Sequence, residues 1–209
     1  MENIQNIGLF ITLSWLLIIS PGPDTIFVLT KGISGGKRAG LISAIGVSLG
    51  ILVHTVFAAL GLSVILQTSA LAFMIVKYVG AGYLIFIGVQ AMIGKKELNI
   101  DEGRKTSGKR TFYSALLTNV LNPKVALFFI AFLPQFIVVD ETSNSALPLT
   151  LLGLMFAFFT LMFLSCVGLL SARIGSWFTS NSSVRKYLQK ITGAVFIAMG
   201  LRLAFVEQK

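Results

Sequence analysis

Ser20-Pro21-Gly22-Pro23-Asp24-Thr25-Ile26-Phe27 decides how this chain folds, because it sets two prolines, a glycine and a carboxylate inside a long apolar run. Pro21 and Pro23 remove two backbone donors and clash with the preceding turn, while Gly22 releases the chain from helical geometry. The surrounding run, 7–29, is otherwise long enough to cross a bilayer, which takes about 20 residues. A second run, 112–139, carries a milder break at Leu121-Asn122-Pro123-Lys124-Val125-Ala126-Leu127-Phe128. In both stretches a proline is followed at once by a charged residue and then by apolar sequence. Irregular backbone at membrane depth is tolerated only against protein or a wet cavity, so the two breaks predict an internal polar site.

Composition requires the bilayer. Hydrophobic residues make up 55% of the 209-residue chain and charged ones 12%, against about 25% charged in an ordinary soluble domain. Mean hydropathy is +0.86. Six apolar runs, 7–29, 40–66, 71–93, 112–139, 147–172 and 187–206, predict an all-α membrane protein of six transmembrane helices, the first and fourth of them broken. The first run has no Lys or Arg before it and is too long for a signal peptide, so it is expected to stay as a helix. The net charge of +9, from 17 Lys+Arg and 8 Asp+Glu, lies mostly in the segments between runs, the pattern of cytoplasmic loops rather than of a nucleic-acid-binding surface. Lys31, Lys37 and Arg38 follow the first run, Lys95, Lys96, Arg104, Lys105, Lys109 and Arg110 the third, and Arg173, Arg185 and Lys186 the fifth. The other side has only Lys209, in the C-terminal tail. Both termini are therefore expected outside.

The polar segment 94–111 divides one transporter domain, 1–209, into repeats 1–93 and 112–209. Besides the matched breaks, Lys77-Tyr78-Val79-Gly80-Ala81 and Lys190-Ile191-Thr192-Gly193-Ala194 share the pattern Lys-x-x-Gly-Ala at the same place in each half. Three spans per half force the second half to insert upside down, the inverted-repeat plan of secondary transporters. Gly46 and Gly50, with Gly80, Gly88, Gly193 and Gly200, mark smooth faces for close helix packing, within the chain or in a homodimer.

An ionisable group inside a span costs at least about 2.5–3.5 kcal/mol on insertion scales, so it should face the interior and have a partner. Asp24 is the one acid placed within a span, and Lys124 is its counterpart in the other half. Either they pair with each other, or together they bind the amino and carboxyl groups of a zwitterion. His54, the sole histidine, is a candidate proton relay or a packing residue. Asn119 and Gln135 flank the fourth-span break and would line a cavity or satisfy freed backbone. The translocation set is thus Pro21, Gly22, Pro23, Asp24, Asn122, Pro123 and Lys124, with His54, Asn119 and Gln135 as supporting candidates.

With these motifs, and with Leu133-Pro134-Gln135-Phe136, Gly80-Ala81-Gly82-Tyr83-Leu84 and Gly200-Leu201-Arg202-Leu203, the chain resembles the LysE/RhtB family of amino-acid exporters over essentially its whole length. The resemblance implies a multi-pass protein of the bacterial inner membrane that exports amino acids or close derivatives (basic, small neutral or hydroxylated ones, homoserine or its lactone) on an ion gradient, here taken as protons. Asp24 stands where many relatives carry asparagine. An exporter or pore for another small metabolite is the alternative. An intramembrane enzyme has little support, since HExxH and GxxxxGK[ST] patterns are absent. One histidine and the single Cys166 supply neither a metal cluster nor a disulfide, and no cofactor is expected.

Overall fold

The computed structural model describes residues 4–62, 70–93, 107–138, 145–173 and 182–205. The 94–106 part of the expected linker, the 67–69 turn, most of the 140–146 loop and Lys209 lie outside the described residues, as do the side chains of Arg185 and Lys186.

Among the described residues every element is helical, apart from one isolated bridge between Ile4 and Ile137. Helix α1 runs Ile7–Ile19 and stops at the first break. Helix α2, Pro23–Phe57, begins immediately after it with Pro23 at its first turn, where a missing N–H costs nothing. At 1.5 Å per residue, the 35 residues of α2 would reach about 52 Å, well beyond the roughly 30 Å of hydrocarbon. The helix is kinked at Gly36, whose φ of 77° and ψ of 179° are closed to residues with a side chain. That single residue joins the end of the expected first span to the second with hardly any loop. A π-helical turn, Ala58–Leu62, continues α2.

Helix α3 spans Ala70–Ile93. Helix α4, Gly108–Val120, is followed by the second break and by the short α5, Pro123–Leu127, which passes into a π-helical turn and a 3₁₀ turn ending at Phe136. Helix α6 covers Ala146–Leu169 and α7 Ser182–Phe205.

By length and apolarity alone, three described helical stretches can cross a membrane: Pro23–Gly61, Met74–Ile93 and Ala146–Leu169. Gly108–Val120 with Pro123–Phe136, bent by 45° at the break, makes a fourth. Two of the expected spans differ for physical reasons: α1 is cut to 13 residues by the prolines, and α2 fuses parts of two runs.

The buried centre is aromatic and built on the second limb of the broken pair. Phe128, Phe129, Phe132 and Phe136 are almost wholly buried. Phe128 stacks on Phe156 of α6 at 4.8 Å between ring centres, and Phe10 of α1 meets Phe136 edge-on at 5.4 Å. Large apolar side chains such as Leu60, Val79, Phe86, Phe158 and Phe205 point outward, as lipid contact requires.

Glycines let the helices touch backbone to backbone. Gly40 of α2 and Gly168 of α6 meet so closely that a Cβ at residue 40 would lie 2.7 Å from the Gly168 Cα. Gly88 and Gly193 do the same for α3 and α7, and Gly46 fits against Phe112 and Ala115 of α4. These faces are consumed within the chain. Gly40→Ala should therefore cost about 1–3 kcal/mol through overpacking. Gly82→Ala, with nothing within 4 Å of the new methyl, should leave stability unchanged or raise it. Thermal unfolding of the two variants in detergent checks the contrast.

Candidate functional site

The two breaks meet, and each satisfies the other. At the first, Ser20 and Gly22 leave helical geometry and Gly22 is fully extended, with φ −157° and ψ −174°. Any residue can adopt that backbone, and a Cβ there would meet the Lys124 side chain at an ordinary 3.5 Å. In this conformation Gly22 is thus replaceable, and the prolines make the break. At the second, Asn122 caps α5: its Oδ1 accepts the Lys124 N–H at 3.0 Å, and Pro123 takes the first helical position.

Asp24 lies in the first turn of α2, where the positive end of the helix dipole favours a carboxylate. Its Oδ2 accepts two amide hydrogen bonds from the other half, from Asn119 Nδ2 at 2.8 Å and Asn122 Nδ2 at 2.9 Å. Its Oδ1 is buried and has no hydrogen-bond partner in the protein. Lys124 reaches the opposite way. Its Nζ donates to the Ser20 carbonyl at 2.6 Å, an acceptor freed by the first break, and sits 5.5 Å from the Phe196 ring centre. Asp24 and Lys124 therefore share one site, but each takes its hydrogen bonds from neutral groups rather than from the other. Of the two arrangements open from the sequence, direct pairing is not the one adopted.

Both charges line a cavity of about 30 Å³ together with Leu17, Ile18, Thr25, Ile51, Val125 and Phe156; Gly22, Asn122, Thr160 and Leu164 complete it. That is space for a few water molecules. His54 joins through Asn119: its Nε2 lies 3.1 Å from the Asn119 carbonyl, so this nitrogen carries the proton. Gly50 makes room for Asn119, since a Cβ at Gly50 would lie 2.6 Å from its Oδ1. Pro21 and Pro23 flank the break without lining the cavity, and so does Pro123. Gln135 lies elsewhere. Its Nε2 donates to the Ala131 carbonyl at 3.2 Å within the irregular end of the fourth run, and its backbone carbonyl accepts from Gln5. It satisfies freed backbone rather than lining the cavity.

Sequence reasoning missed the apolar walls, because Leu17, Ile51 or Phe156 looks the same whether it faces lipid or cavity. It also missed Thr25 and Thr160. For Thr160 the signal was a hydroxyl on a helix whose neighbours are all apolar. Among the described residues no group of His, Cys, Asp or Glu is arranged to hold a metal.

A bundle of apolar helices that encloses a carboxylate, an ammonium and two amides between two broken helices is a membrane protein with a polar site inside the bilayer. The chain belongs to the LysE type translocator family, which matches residues 15–206. It is 31% identical to the uncharacterized membrane protein YrhP of Bacillus subtilis (strain 168), covering 92% of this chain and 95% of that one. It is 30% identical to a homoserine/homoserine lactone efflux protein of Salmonella typhimurium, over 93% and 94% of the two chains, and 27% identical to a leucine efflux protein of Enterobacter sp. (strain 638), over 97% and 96%. No solved structure gives a significant match.

Asn122 has two separable tasks, the helix cap and the bond to Asp24. Asn122→Ala loses both, and should destabilise by about 1 kcal/mol for the cap plus about 1.5–3 kcal/mol for the charged hydrogen bond. Asn122→Ser keeps a capping oxygen and should recover the cap's share only. Denaturation midpoints of the two variants in one detergent test this; equal losses would contradict the double role.

Proposed function

We propose that the protein is a secondary exporter, moving amino acids or close derivatives out of a bacterial cell across the inner membrane and driven by the proton gradient. One observation carries this reading: Asp24 and Lys124 face the same cavity without bonding each other. A carboxylate with a free oxygen and an ammonium held by a carbonyl and an aromatic ring complement the amino and carboxyl groups of a zwitterion. A purely structural ion pair would have closed the gap. The relatives described as homoserine/homoserine lactone and leucine efflux proteins support the substrate class, amino acids or close derivatives.

The cavity has room for a few water molecules, less than a whole amino acid needs. Transport therefore needs the site to widen, and the breaks supply the hinges, having few helical hydrogen bonds to lose. Two inverted three-helix repeats fit this scheme. The matched proline breaks support them, as do the close contacts of α2 with α6 and of α3 with α7, each joining counterpart helices of the two halves. In that arrangement both termini face the periplasm, as the basic loops suggest. In this reading Asp24, which accepts a hydrogen bond from Asn119 and through it is joined to His54, exchanges a proton with the substrate ammonium.

Purified protein in liposomes loaded with labelled neutral amino acids tests the reading. Exit should exceed that of protein-free liposomes and quicken when a pH gradient is imposed; exit equal to the protein-free leak contradicts it. Lys124→Ala and Asp24→Ala should each lower exit by at least about tenfold, since removing one buried hydrogen-bonded charge costs about 2–5 kcal/mol of binding. The double variant should stay inactive. Recovered activity in the double variant would show that the two charges only hold the halves together.

A further inference from the structure

Five buried hydroxyls, those of Ser14, Ser20, Ser145, Thr160 and Thr192, have no hydrogen-bond partner in the protein, and of these Thr160 is the one that lines the cavity of Asp24 and Lys124. Ser43, Ser48, Thr55, Thr118 and Thr150 each donate to the carbonyl four residues earlier, at 2.7–2.9 Å, the ordinary way a helix satisfies such a group in an apolar setting. Thr160 does not. It is 5% exposed, and its Oγ1 is buried with no hydrogen-bond partner in the protein. Yet it lines the same cavity as Asp24 and Lys124. Phe156 and Leu164, one helical turn to either side on α6, line it too, so the hydroxyl is the single polar group on an otherwise apolar stripe of that helix. Leu17 and Ile18 of α1 and Ile51 of α2 complete the apolar surroundings.

A buried hydroxyl left unpaired is costly, whereas one that meets a hydroxyl of the cargo is satisfied. With Asp24 and Lys124 taken up by the α-amino and α-carboxyl groups, what remains of the cavity must receive the substrate side chain. No second carboxylate lines it, so a basic side chain would find no counter-charge. We propose that Thr160 is a specificity-determining residue, which hydrogen-bonds a hydroxyl on the side chain of a small neutral amino acid and so favours hydroxylated substrates over their aliphatic isosteres. This rests on the amino-acid export reading and adds to it the means by which one neutral class is chosen. A site built to bond a substrate hydroxyl rejects the analogue lacking it far more strongly than a hydrophobic pocket distinguishes one methylene.

The test uses near-isosteric pairs, L-threonine with L-valine and L-homoserine with L-norvaline, in competing exit from liposomes holding the full chain. Wild type should favour the hydroxylated member of at least one pair by about tenfold or more. Thr160→Val, which keeps shape and removes the hydroxyl, should reduce that ratio by about tenfold, mainly by slowing the hydroxylated substrate, and Thr160→Ser should restore it. Folding of the valine variant is verified by its retained exit of valine or norvaline. Loss of all exit in Thr160→Val with none recovered in Thr160→Ser would overturn the assignment, as would an unchanged ratio in Thr160→Val. So would a ratio that moves in Thr25→Val instead. Exit of neither member of either pair from wild type, with other amino acids exported, overturns this inference alone; exit of no amino acid overturns the export reading with it.

Discussion

A helix interrupted inside hydrocarbon leaves backbone groups that no lipid can satisfy, and this chain interrupts two. The solution is reciprocal. The carboxylate that follows the first break is held by amides of Asn119 and Asn122 at the second, and the ammonium that follows the second is held by the Ser20 carbonyl at the first. Neither break is stable alone in this form. Most of what surrounds them follows from that need: Gly50 clears space for Asn119, the aromatic cluster of Phe128 to Phe136 anchors the limb that carries Lys124, and Gly40 with Gly168 draws α2 onto α6 to close the bundle.

The same reciprocity explains how a site of this kind can work. Charges joined in a tight ion pair would have to be separated for each substrate, at the desolvation cost of both. Here each charge is held by neutral dipoles, whose bonds are individually weaker and easier to exchange for bonds to cargo. Asp24 keeps one oxygen buried and unpartnered. The glycine and prolines of the first break then have distinct parts. The prolines forbid a continuous helix in any conformation, while Gly22 is extended and sterically replaceable in this one. Its value lies in conformations that a side chain would resist.

Much of this was legible in the sequence because membrane chemistry is restrictive. Proline next to charge within an apolar run has few explanations, so the breaks, Asp24 and Lys124 could be found without coordinates. Asn119 was visible as a polar residue beside the break, but not as the amide that joins His54 to Asp24. What was not legible is what depends on facing. Periodicity cannot tell a lipid-facing leucine from one on a cavity wall, nor show that the Thr160 hydroxyl turns away from its own helix. Gly36 was one glycine among twenty in the sequence, and only its positive φ shows that it kinks one long helical run. Arg202 lies over the rings of Phe132 and Phe136, at 5.8 and 5.9 Å, a contact that the sequence pattern does not show. The first span was shortened for a related reason, since the prolines that make the break also end α1 after 13 residues.

The central claim is that both charges of the broken-helix site bind the substrate, one at each end of a zwitterion. Binding to the purified protein can be measured for the amino acid that it exports fastest, for the primary amine lacking its carboxyl group, and for the carboxylic acid lacking its amino group. The account predicts that the zwitterion binds at least about tenfold more tightly than either analogue, a difference of about 1.4 kcal/mol or more for each missing charge. An amine or an acid that binds as tightly as the whole amino acid would show that one of the two charges does not touch the substrate, and would contradict the account.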